Sequence, residues 1–188
     1  MVIEGALLLA ATAWIFIDGI NLAPSFHLNR KILMLGLNAG LLITLVNVLL
    51  WLASIKFRDS STFFRSWFDL IHTETMPLLG GLTLFQRIFL SLCAGVCEEV
   101  FFRGVMEAEA GPFFTNLAFG FAHLPKLYYL SYALWAMGVG YVMSYLKMQT
   151  GGLLAPIIAH TLVDIISLCI LAGIKNKIEK QNENQNNN

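Results

Sequence analysis

The chain has 188 residues, of which 57% are apolar and only 13% charged, and its formal net charge is zero. That balance is wrong for a soluble domain, which needs a charged, solvated surface, and no basic block is available to hold a nucleic acid. The class that remains is an all-helical, polytopic membrane bundle, with the lipid bilayer itself as a partner.

A helix needs about twenty mostly apolar residues to cross a hydrocarbon core of about 30 Å. In chain order, residues 1–55 predict two such helices. The first covers about 5 to 22; its opening residues carry Glu4 and no lysine or arginine, so they lack the basic start of a cleaved signal peptide and are read as a retained helix. The second covers about 32 to 55 and contains Gly36 and Gly40, a spacing of small residues that suits close helix packing.

Residues 56–84 predict an amphipathic linker at the membrane interface. Phe63, Phe64, Trp67, Phe68 and Ile71 share one helical stripe, with Arg65, Asp69 and His72 off it, and Trp67 reads as an interface anchor with a lesser claim as a substrate gate. Residues 85–174 form the core: a third span over about 85 to 107, a short fourth in "PFFTNLAFGFAHLP", a fifth over about 127 to 146 and a sixth over about 152 to 174, with Pro156 tolerated in its first turn. Glu107 and Glu109 read as a solvated loop. The tail 175–188 is polar, asparagine-rich and expected to be disordered. There is no internal repeat and no second domain. Cys93, Cys97 and Cys169 lie in apolar segments and read as packing residues.

Charge sets the expected topology. If all six segments cross, Lys56, Arg58, Arg65, Arg87, Lys126, Lys175, Lys177 and Lys180 gather on the side of both termini, against Arg30, Lys31 and Lys147 opposite. Cytoplasmic loops favour lysine and arginine, so six spans with both ends in the cytoplasm is the expected arrangement of this integral, multi-pass protein; the asparagine-rich end fits a bacterial cell membrane.

The stretch "CEEVFFRG" stands out within these apolar runs. At about 2.5–3.5 kcal/mol each, Glu98, Glu99, Arg103 and Asp164 would together cost on the order of 10 kcal/mol inside the membrane if unpaired. Glu99 and Arg103 are spaced i, i+4 and can pair, tying up Glu99; Glu98 turns to another face, beside the small residues Ala94 and Gly95. His123 ends "FGFAH", and His160 stands i, i+4 from Asp164 in "AHTLVD". One carboxylate, one histidine and one histidine–aspartate pair from three helices are the raw material of a hydrolytic site. Glu98, desolvated among apolar groups, is the general base and then acid for a water; His123 would hold that water or protonate a leaving amine; His160 with Asp164 would stabilise an oxyanion.

These residues carry a resemblance. "EEVFFRG" resembles the EExxxR motif of the CPBP family, the CAAX-protease and bacteriocin-processing (Abi) membrane proteins, while "FGFAH" matches its FxxxH motif and "HTLVD" its HxxxN/D motif, in family order over about residues 85 to 170. The resemblance implies an intramembrane endopeptidase acting on a membrane-associated peptide or protein, with Glu98 and His123 activating water, His160 and Asp164 on the oxyanion side, and Glu99 and Arg103 supporting. Asp164 stands where some members carry asparagine, and an aspartate donates a hydrogen bond only when protonated. No cofactor is required by this reading. The alternative is zinc, with Glu98, His123, His160 and Asp164 as possible ligands, although no HExxH pair is present. A second alternative is a non-catalytic membrane immunity or scaffold protein of the same fold.

Overall fold

The computed structural model describes residues 2–186 and is helical throughout, with no strand among the described residues. Helix α1 spans Val2–Asp18 and α2 Arg30–Phe57; α3, Thr62–Asp69, passes through a π-helical turn, Leu70–Thr75, into the short α4, Met76–Leu79. Helix α5, Leu84–Glu98, continues as a π-helix, Glu99–Met106, into α6, Glu107–Ala122; α7 is Leu130–Thr150 and α8 Leu154–Asn186.

Local chemistry sets several of these boundaries. The sequence "TLFQ" starts α5 with a capping box: the Thr83 hydroxyl accepts from the Gln86 amide, and the Gln86 side chain accepts from the Thr83 amide. Asn29 starts α2 by accepting from the Ile32 N–H at 2.9 Å. Within α6, Gly111 adopts φ 74°, and Pro112 follows it, so the helix breaks where the short fourth segment was expected to begin.

Packing follows the small residues. Gly36 and Gly40 let α2 lie directly on α8: a Cβ at Gly36 would sit 2.8 Å from the Ala155 carbonyl oxygen, and one at Gly40 2.9 Å from that of Ala159. Gly95 does the same for α5 against Thr161 of α8. The outward faces carry large apolar side chains, among them Leu41, Leu45 and Leu49 of α2 and Phe16 of α1, as a lipid-facing surface would.

By length and composition α2 and α8 can each cross a membrane, and a third span is present if the two arms Thr62–Leu79 and Leu84–Ala122, bent by 113°, count as one. The expected six crossings are thus supported for two or three. Helix α1 is only 17 residues long, and the α5–α6 arm is broken at Gly111. The tail expected to be disordered instead continues α8 as far as Asn186; residues 187 and 188 lie outside the described residues.

Candidate active site

The first expected pair meets at the end of α5. Glu98 is its last residue, and Oε2 of Glu98 lies 3.8 Å from Nε2 of His123, which caps the end of α6. The other ring nitrogen, Nδ1 of His123, donates to the Phe119 carbonyl oxygen at 2.8 Å. A carbonyl can only accept, so Nδ1 carries the proton, and in the neutral ring Nε2 is the acceptor that faces Glu98. Oε2 of Glu98 is buried and has no hydrogen-bond partner within the protein.

The second group lies one residue further on. Glu99 is fully buried and its Oε1 accepts both from Nη1 of Arg103 at 3.2 Å and from Nδ1 of His160 at 2.8 Å. Nε2 of His160 faces Asp164 Oδ2 at 3.7 Å, so the expected i, i+4 pair is present on α8. The π-helical turn that begins at Glu99 widens the chain here, and such turns recur at functional sites.

Phe119 ties the two groups together. Its ring centroid is 4.5 Å from that of His123 and 6.3 Å from that of His160, and the Arg103 guanidinium lies 4.3 Å from it. His123, His160 and Asp164 also line one cavity of about 300 Å³, whose walls are mostly aliphatic and aromatic, including Trp51, Trp67, Tyr132 and Trp135. The structure therefore brings Glu98, Glu99, Arg103, His123, His160 and Asp164 into one neighbourhood built by α5, α6 and α8 and the π-helix between α5 and α6.

Three sequence-based expectations change. Glu99 is not held by Arg103 alone, because it is also the partner of His160. Trp67 does not anchor in the interface: it is only 3% exposed, packs edge-on against Tyr132 and forms part of the cavity wall. Glu107 is not in a solvated loop but begins α6, where it accepts from Ser144 and pairs with Lys147 at 3.4 Å. Sequence reasoning also missed Asn116, which is fully buried and bonded to Arg103 and Ser144. The available signal was a lone amide in the apolar run "FFTNLAFGF", which needs a partner for the same reason the charges do.

The cysteines are free thiols, as packing residues are. Among the described residues no three His, Cys, Asp or Glu side chains are grouped as a metal site would require; the possible zinc ligands fall into two pairs, Glu98 with His123 and His160 with Asp164.

An all-helical, membrane-type bundle with paired glutamates facing two histidines from separate helices is the class these observations define. Residues 80–166 match the family model described as Type II CAAX prenyl endopeptidase Rce1-like, a stretch that contains all three motifs. The matched stretch, a little under half of the chain, is thus similar to the Rce1-like proteins of the CPBP family. A protein of Bacillus subtilis (strain 168) described as uncharacterized protein YpbD is 28% identical over 82 residues, which is 44% of this chain and 43% of that protein, so the aligned part spans less than half of the relative's length. No solved structure matches the chain.

Proposed function

We propose that the protein is an intramembrane endopeptidase that hydrolyses a peptide bond in a membrane-associated protein or peptide, with Glu98 as the group that activates water. The observation that carries this reading is the placement of the buried Oε2 of Glu98, which no protein group hydrogen-bonds, 3.8 Å from Nε2 of His123. A water that donates one hydrogen to each keeps its lone pairs free to attack, and Glu98 can take the proton and pass it to the leaving amine.

His160 and Asp164 stand on the opposite side of the reaction. His160 can donate from Nε2 to a developing oxyanion only when it carries both ring protons, a form whose charge Glu99 and Asp164 complement from either side. The match to the Rce1-like family over residues 80–166 supports peptide-bond cleavage as the reaction. The apolar cavity beside the histidines suits a substrate segment that arrives from the bilayer rather than from water. Both termini in the cytoplasm and a multi-pass topology complete the proposal.

The test compares membrane peptides from cells carrying wild type with those from cells carrying Glu98→Gln or His123→Ala. A cleavage product lost in both variants, while each protein stays folded, supports the peptidase; an unchanged peptide pattern and phenotype favours a non-catalytic scaffold. The proposed mechanism uses no metal, so cleavage should persist after exhaustive chelation, and restoration by zinc alone after chelation would overturn that part.

A further inference from the structure

Behind the site a hydrogen-bond chain continues beyond every residue given a role above. Ser144 Oγ lies 2.5 Å from the Glu107 carboxylate and 2.9 Å from Asn116 Nδ2. A carboxylate only accepts, so the Ser144 proton points to Glu107 and the hydroxyl oxygen is left to accept from Asn116. This fixes the amide: its NH₂ faces Ser144 and its Oδ1 faces Nη2 of Arg103 at 3.2 Å. The flipped amide would set NH₂ against the guanidinium, donor to donor.

Arg103 is then held on both prongs. Nη2 donates to Asn116 Oδ1 and to the Gly140 carbonyl, each at 3.2 Å, while Nη1 donates to Glu99 Oε1, also at 3.2 Å. Gly140 makes the approach possible, because a Cβ there would lie 2.5 Å from Asn116 Oδ1. A planar guanidinium held on both prongs cannot turn without breaking a bond, so the Glu99 oxygen that receives the His160 Nδ1–H is fixed in place. Lys147 closes the chain by pairing with Glu107 and donating to the Arg103 carbonyl.

We propose that Asn116 and Ser144 are positioning residues that, through Arg103 and Glu99, set the orientation of the His160 ring. Neither lines the cavity. Their loss should therefore disturb the histidine without disturbing substrate contacts. The consequence for turnover rests on the peptidase reading; the consequence for His160 does not.

The experiment is nuclear magnetic resonance of the full chain in lipid nanodiscs with isotope-labelled histidine, where only four histidines report. In wild type the His160 Nδ1–H should be protected from exchange with water. In Ser144→Ala and Asn116→Ala it should exchange about tenfold faster, as the weakening of one buried hydrogen bond allows, with His123 unchanged; Ser144→Thr, which keeps the hydroxyl, should restore protection. Where a cleavage assay exists, kcat should fall about 10- to 100-fold at constant KM. A His160 signal unchanged in both alanine variants overturns the proposal. So does loss of the His123 and His160 signals together in both, which would make the chain a folding element alone. If His160 responds but no preparation cleaves any peptide, the positioning role stands and the peptidase reading fails.

Discussion

Nδ1 of His160 lies 2.8 Å from Oε1 of Glu99, joining the last helix to the π-helix across 61 positions of sequence. The same oxygen receives Arg103, so the two adjacent glutamates stand in different conditions: Glu99 is bound on one oxygen by two donors, while Oε2 of Glu98 has no hydrogen-bond partner among the described residues and lies 3.8 Å from His123. Neighbours in sequence thus sit in different surroundings, one bound by two donors and one with a buried oxygen that no protein group bonds.

Arg103→Leu removes the permanent cation paired with a fully buried carboxylate. Leaving one partner of a buried pair uncompensated typically costs about 3–5 kcal/mol, and the loss should appear in reversible unfolding in mixed micelles. Adding Glu99→Gln should recover part of it, since no unpaired charge then remains. A full-strength Arg103→Leu protein would show that the pair does not hold the π-helix.

Gly36→Ala and Gly40→Ala should each destabilise by about 1–3 kcal/mol, because the new methyl meets a backbone carbonyl of α8 that cannot rotate away. Gly138→Ala is the contrast: nothing lies within 4 Å of a Cβ there, and removing a helix glycine should leave stability unchanged or raise it by up to about 1 kcal/mol. Equal effects at all three positions would contradict the α2–α8 contact.

Outside the spans, the loop before α7 is tied to the segment after α3 by Lys126, which donates to Glu74, and by Tyr129, whose hydroxyl donates to the same carboxylate at 3.0 Å. The hydrogen bond to Glu74 holds the Lys126 amine above its ordinary value. A group with a raised folded value contributes stability that is complete below the unfolded value, near 10.5, and lost as pH rises through the folded one. Protease access to residues 124–129 should therefore rise on the alkaline side of pH 10.5 in wild type, and Lys126→Met should show a smaller step, the part that deprotonation of the Tyr129 hydroxyl leaves. An identical alkaline response in both proteins would remove the tie.

Reporter fusions should find the two termini on one face of the membrane, the arrangement that gathers most lysines and arginines on one side if all six segments cross. Termini on opposite faces would force an odd number of crossings and detach the short segment after Gly111 from the spanning set.

The sequence by itself determined the helical class, the need for polar partners inside apolar spans and the residues that supply them. Each of these is a local property: hydropathy over a window, spacing on a helix, and the cost of an unpaired charge in lipid. It placed the start of the short fourth segment at Pro112, next to the observed kink at Gly111, although it expected a loop from Glu107 where the helix in fact continues. Only the tertiary structure decided that Glu99 serves His160, that Trp67 faces a cavity and that Glu107 is bound within α6 and α7 rather than solvated. Those outcomes depend on which helix faces which, and the π-helical turn from Glu99 to Met106 resets that facing in a way no 3.6-residue periodicity contains. Asn116 and Ser144 stayed hidden on the same ground: an amide and a hydroxyl gain meaning only from the side chains that a neighbouring helix brings to them.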